Sequence, residues 1–367
     1  MNSDSIPIDL ITEICSRLPA KSIARFRCVS KLWSSILRRP YFTELFLTRS
    51  SAKPRILFAI EGDRWCSGWW SLFSLPQTLM SPYDESSSSL VVTAKYHMDF
   101  PQDPNMWINP SCDTHFSCGY ASGLIYFYNM YIKLKDAYVE GPVICNPNKG
   151  QYAILPSLER GVERFEHVFS FLGFDPIDKQ YKVLKPHQGC GGYHKIVTLG
   201  NGTGKMRWRT IKCPLPHDPV SEGICINGVL YYLDGIEFYM WILEDADKQE
   251  WSKYTYALWD DKFFVDDNVY ASVVVVGVTS MGEIILSRGY YTCDEPFYVL
   301  YFNPKKNTIQ RVEIQGLEEC DHNNHFRNKV YTFVDHVEDL NVNDSKLLNS
   351  SIYAPYMKTK DEEKDEE

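Results

Sequence analysis

No stretch of the 367 residues approaches the ~20 consecutive apolar side chains of a membrane-spanning helix, so none is expected. The longest apolar run, Val273-Val274-Val275-Val276-Gly277-Val278, has the length of a buried strand. Basic charge is in deficit: the net charge is −9, which argues against a nucleic-acid-binding protein. The opening Met1-Asn2-Ser3-Asp4 has neither a charged start nor an apolar core, so a secretory leader is not expected. The 11 cysteines are odd in number, scattered, and without paired spacing. No disulfide framework is therefore expected, and the thiols read as small hydrophobes in a reducing compartment, the cytoplasm and/or the nucleus.

Catalytic signatures are also missing. There is no Gly-x-Ser-x-Gly elbow and no recognisable Cys–His pairing. His187, Cys190 and His194 are only part of a zinc set, since a closed site needs four ligands, usually in two pairs. Gly200-Asn201-Gly202-Thr203-Gly204-Lys205 is followed by Met206, where a phosphate loop needs Ser or Thr; a hairpin tip is expected. Asp260-Asp261 and Asp266-Asp267 fall in a polar stretch between strands and read as loop. No catalytic residue, metal or cofactor is expected.

What is present starts with a helical head. With Pro7 in the first helical turn, Leu10, Ile11, Ile14 and Leu18 fall within one arc of about 100°. Asp9, Thr12, Glu13, Ser16 and Arg17 take the rest, and Pro19 stops the helix. A second helix runs from Ala20 to Cys28, with Ile23, Phe26 and Arg27 on one side. Ser30 is placed to cap a third, carrying Leu32, Trp33, Ile36 and Leu37, which Pro40 ends. Phe42, Leu45 and Phe46 make one more apolar cluster.

Three short helices in about 45 residues lie near the lower limit for a self-sufficient core. The segment nevertheless carries more large apolar side chains than one side of a small bundle needs. Something must cover the surplus, either a partner or the chain's own second domain. Full burial of each side chain contributes about 1.5–3 kcal/mol, so four or five anchors suffice for a stable complex. Residues 1–47 hold seven Lys/Arg against four acids, a small basic excess that suits an acidic partner.

The run Ile6-Pro7-x-Asp9-Leu10-x-x-Glu13-Ile14-x-x-Arg17-Leu18-Pro19-x-Lys21-Ser22-Ile23-x-Arg25-Phe26-Arg27-x-Val29-Ser30-Lys31-x-Trp33 resembles the F-box of the plant F-box superfamily. That family usually has Leu where Ile6 stands. The resemblance implies docking on the SKP/ASK adaptor of an SCF-type cullin–RING ubiquitin ligase. Carried over by position, it implies contacts from Pro7, Leu10, Ile14, Leu18, Pro19, Ile23, Phe26, Val29, Ser30, Lys31 and Trp33.

From Arg55 the hydrophobic period shortens to two residues or to short runs, and aromatics, 14% of the chain, favour β-structure. Nineteen strands are expected, among them Ile56–Ile60, Ser71–Leu75, Leu90–Tyr96, Leu124–Tyr128, Val143–Cys145, Ser272–Val278 and Lys329–Val334. Asn227-Gly228 signals a type I′ hairpin. Asn146-Pro147, Asp175-Pro176 and Asn303-Pro304 each open a turn between two strands. Many short strands and no long helix predict a β-propeller, kelch-like, of five or six blades at about four strands each. A large β-sandwich is the alternative. Trp65, Trp69, Trp70 and Trp107 read first as packing between blades and only second as binding anchors.

This region resembles the F-box-associated domain of plant F-box proteins. The similar segments are Cys145 to Pro156, Gly173 to Leu184, Gly223 to Tyr232 and Trp241 to Ser252. The expected organisation is an F-box head over 1–47, a linker over 48–54, the β-domain over 55–340 and a charged, disordered tail over 341–367. The resemblance implies a non-catalytic substrate receptor whose β-domain holds a target protein for ubiquitylation. Alternatives are a propeller enzyme or glycan-binding module with an appended helical head, and a scaffold that binds the adaptor without a cullin. The sequence singles out no target-binding residue, nucleic acid or membrane.

Overall fold

The computed structural model describes residues 7–340 apart from 62–68, 78–89, 102–104, 109–117, 135–136, 149, 157–169, 187–192, 200–206, 214–223, 227, 235–238, 246–247, 249, 256–272, 280–281, 292–294, 304–305, 307 and 318–327. The head has four helices rather than three: α1 (Ile8–Cys15), α2 (Ala20–Arg27), α3 (Lys31–Ile36) and α4 (Pro40–Ser51). The reason is Pro40, expected to end a helix. It begins one instead, because a fixed φ and a missing N–H cost nothing in the first turn. The Phe42–Phe46 cluster becomes the buried side of α4, and Thr48–Ser51, expected as linker, form its last turn.

The β-region begins after a connection of three residues. Its first strands are β1 (Arg55–Glu61), β2 (Trp70–Pro76), β3 (Leu90–Thr93) and β4 (Lys95–Phe100). Next come β5 (Met106–Ile108), β6 (Cys118–Ala121), β7 (Leu124–Leu134), β8 (Ala137–Cys145) and β9 (Tyr152–Ile154). Then follow β10 (Phe171–Asp175), β11 (Gln180–Lys185), β12 (Tyr193–Leu199) and β13 (Arg209–Lys212). A fourth group is β14 (Ile224–Ile226), β15 (Val229–Asp234), β16 (Tyr239–Asp245) and β17 (Glu250–Thr255). The last is β18 (Val273–Val278), β19 (Ile284–Arg288), β20 (Tyr290–Tyr291), β21 (Phe297–Asn303), β22 (Thr308–Gln315) and β23 (Asn328–His336).

These strands form five sheets among the described residues, the lower of the two expected blade numbers. The architecture is a propeller, and the sandwich alternative falls away. The sheets run β20-β23-β1-β2-β4, β5-β7-β8-β9 with β6 also on β7, β10-β11-β12-β13, β14-β15-β16-β17 and β18-β19-β21-β22-β3. The ring closes where its last long strand joins its first: β23 pairs antiparallel with β1, Phe58 opposite Thr332. A second latch crosses the same seam. Leu90–Tyr96, expected as one strand, divides at Ala94. Its first half, β3, lies parallel on β22, while β4 returns to β2.

β1 shows why the core reads as continuous apolar runs. Successive side chains point to opposite faces of a strand. Ile56, Phe58 and Ile60 pack with Ile285, Phe297 and Val299 of the fifth blade. Leu57 and Ala59 pack on the other side with Trp70, Ile125 and Phe127. Both faces of β1 are therefore buried. A third cluster joins the second and third blades through Tyr126, Ile144, Leu172 and Val183. The first turns of neighbouring blades meet at the end where β1 begins. The Tyr181 hydroxyl donates to Ser122 O at 2.6 Å. A Cβ at Gly228, whose φ is +85°, would meet Pro176 Cδ at 2.7 Å. Among the described residues no helix is long and apolar enough to cross a membrane.

Candidate functional site

The short helix α1 has two apolar faces, and among the described residues only one is packed. Ile11 and Cys15 turn inward to join Ala20, Ile23, Leu37, Phe42 and Phe46 in the head's core. Leu10 and Ile14 lie 40° apart on the helical wheel, at about 100° per residue. They point outward, 52% and 56% exposed. The arc expected from the sequence is thus divided: Ile11 faces the core, Leu10 and Ile14 face solvent, and Leu18 is half-buried against the core.

Polar contacts fix that division. The Arg49 guanidinium on α4 reaches Glu13 Oε2 at 2.6 Å and Glu13 O at 3.0 Å, and also donates to the Ser16 hydroxyl. Arg17 reaches the other Glu13 oxygen at 2.5 Å. Hydrogen bonds from Arg17 and then Arg49 hold the Glu13 carboxyl below its usual range. These contacts pin α1 to α4, so its rotation about its own axis is set and Leu10 and Ile14 stay outside.

α2 and α3 supply a second exposed set. The Ser30 hydroxyl caps α3 by accepting from Trp33 N–H at 3.2 Å. That turn stacks Trp33 on Phe26, ring centroids 5.3 Å apart and 23° between planes. Arg27 donates twice to Leu37 O, at 3.2 and 2.7 Å, closing the end of α3 onto α2. Val29 in the tight connection is 66% exposed, and Leu32 on the first turn of α3 is 61% exposed.

Pro7, Pro19, Ser30 and Lys31 are exposed, Phe26 and Trp33 are partly buried, and Ile23 is wholly buried in the head's own core. Ile23 therefore supports the surface from beneath; its side chain is not on it. Ile8, Leu32 and Tyr41 are exposed apolar residues that pattern reading did not single out as contacts. The signal for Tyr41 was its position just after Pro40, on the solvent side of a helix that the sequence did not reveal.

The structure describes only part of the other motifs that the sequence brings up. His194 is buried in β12, while His187 and Cys190 lie outside the described residues. Among the described residues no three His, Cys, Asp or Glu side chains could hold a metal. The loop 200–206, both Asp pairs and Trp65 also lie outside them. Trp70 is buried between blades, its ring tilted against those of Phe127 and Tyr331, as the packing reading expects. Trp107 packs on Tyr131, and Trp69 is exposed.

Comparison with known families accounts for both halves. Residues 3–45 match the F-box domain, and residues 55–237 and 234–337 match the F-box associated beta propeller domain. The chain belongs to the F-box protein family. Three F-box proteins of Arabidopsis thaliana are similar along the whole length. One is 48% identical over 96% of this chain and 87% of its own. A second is 42% identical over 100% of both, and a third 42% identical over 95% of this chain and 97% of its own. Neither matched family of this F-box protein is a catalytic one. A solved Lactobacillus plantarum protein aligns over 74% of this chain and 69% of its own with 11% identity, but its TM-score of 0.27 carries no weight.

Proposed function

We propose that this F-box protein is the substrate receptor of an SCF-type ubiquitin ligase. Its head docks on the SKP/ASK adaptor, and its propeller holds a target protein. The observation that carries this reading is the outward face of α1. Leu10 and Ile14 are more than half exposed on a helix whose other face is packed. With Val29 and Leu32 they form four aliphatic anchors. Each would lose about half of its surface to a partner, a gross gain of about 3–6 kcal/mol at 1.5–3 kcal/mol per full burial. Pro7, Leu18, Pro19, Phe26, Ser30, Lys31 and Trp33 complete the docking surface, with Ile23 as its support.

The protein performs no bond chemistry in this role. It holds target lysines near a charged conjugating enzyme, and the tether raises their effective concentration. The complex works in the cytoplasm and/or nucleus. Co-expression with a plant SKP-type adaptor and a cullin tests the reading: the three chains should co-elute in gel filtration. A receptor that elutes alone, folded and free of adaptor, overturns it.

A further inference from the structure

The head sits on the seam where the propeller closes. β1 leaves α4 after three residues and pairs with β23, Arg55 opposite His336. Immediately past β23 the chain runs back into the head. The Glu338 carboxylate accepts from Ala20 N–H at 2.7 Å. The Ser50 hydroxyl accepts from Glu338 N–H at 2.9 Å. Leu340, 1% exposed, lies in the head's core beside Ile11, Ile23, Phe42 and Phe46. The F-box match stops at 45 and the propeller match at 337, so Glu338 to Leu340 belong to neither.

These residues supply two things the head lacks. The N-cap of α2 is Pro19, which makes no side-chain cap, yet the first N–H groups of any helix need acceptors. Glu338 provides a negatively charged one from 318 positions away, which also suits the helix dipole. A head of about 45 residues has too little core to stand well alone. Leu340 is part of that core, and only the propeller's last strand can deliver it.

Resting on the reading that the head docks an adaptor, we propose that Glu338 to Leu340 form a clasp that makes the head competent for docking only when β23 has closed the ring. A chain with an unpaired last strand cannot seat Leu340, so α1 loses the packing that holds Leu10 and Ile14 outward. Receptors that have not finished folding are thereby kept off the ligase.

The test uses the full chain with Leu340→Asp, Leu340→Met, Glu338→Ala and Thr332→Pro, the last breaking the β1–β23 ladder away from the head. Hydrogen exchange is read at amides of residues 8–51, with β7 and β8 as an internal control, alongside affinity for a recombinant plant SKP-type adaptor. Leu340→Asp should speed exchange in α1 and α2 at least tenfold, leave β7 and β8 unchanged, and weaken adaptor binding at least tenfold. Leu340→Met should restore both. Glu338→Ala should speed exchange chiefly at the start of α2, and Thr332→Pro should expose the whole head. Normal head exchange in Leu340→Asp overturns the clasp whether or not the adaptor binds. Faster exchange with undiminished adaptor binding overturns the gate, as does a protected head in Thr332→Pro. Failure of the unaltered, normally protected chain to bind the adaptor refutes the docking reading instead, and the exchange data still decide the clasp.

Discussion

Replacing Gly277 with alanine should force β18 away from β23. Gly277 sits at a bulge in the β18–β19 ladder. A Cβ added there would land on Val334 Cγ2, with Val334 Cβ and Cγ1 at 3.4 and 3.5 Å. Val334 is β-branched and stiff at χ1, so one rotation cannot clear both methyls. Inserting a methyl into a packed seam costs about 1–3 kcal/mol. Loss of glycine's freedom in the unfolded chain offsets about 0.4–1 kcal/mol of that. The single variant should therefore lose roughly 0–2.6 kcal/mol. Val334→Ala alone removes two methyls from a half-buried site, at about 1 kcal/mol in total. In the double variant the new methyl occupies the space those methyls leave. Its loss should be smaller than the sum of the singles by about 1–2 kcal/mol, well beyond the roughly 0.5 kcal/mol scatter of independent sites. Urea unfolding followed by circular dichroism measures all four corners of the cycle. Strict additivity would refute direct packing between the fifth blade and the closing strand.

Other outcomes follow from single contacts. Ser30→Ala should cost about 1 kcal/mol, the usual value of such a cap, and weaken adaptor binding because Trp33 loses its anchor on α3; calorimetry reads both. Tyr120→Phe should cost about 1–3 kcal/mol in a melting experiment, because buried His336 Nδ1 loses its 2.9 Å partner. Burial holds His336 down to about 3, and burial with nearby Arg55 and Lys95 holds His97 down to about 4. Unfolded, both histidines take up protons near 6.5, so the unfolded chain binds more protons below that pH. Stability should be fully present above pH 6.5 and fall toward pH 4, by up to about 1.4 kcal/mol per pH unit for each histidine. Glu338 and Asp335, both raised by burial, oppose this at the acid end, so the slope is best read in a Glu338→Gln, Asp335→Asn background. A flat profile there would refute the buried neutral state of both rings.

Much of this architecture was legible from local chemistry. The apolar runs of β1, β2 and β18 and the turn at Asp175-Pro176 show up because strand period and turn residues are local properties. What escaped reading depends on distant partners. Leu90–Tyr96 looks like one strand, and nothing inside it reveals that Leu90 pairs with Val312 of the fifth blade while Lys95 pairs with Ser74 of the first. Pro40 can end a helix or begin one, and only the burial of Phe42 and Phe46 decides. At the candidate site the apolar arc of α1 was visible, but its division between Ile11 and the pair Leu10 and Ile14 was not. That division is made by Arg49, 36 residues from Glu13, and by Leu340 at the far end of the fold.

The docking face itself can be probed in one titration. A recombinant plant SKP-type adaptor is titrated into the full chain and into its Leu10→Lys, Ile14→Lys double variant, with melting curves of both. Affinity should fall at least a hundredfold, equivalent to about 2.7 kcal/mol, while the melting transition stays in place. Equal affinity in the two proteins would contradict the assignment of that exposed helix face to the ligase adaptor.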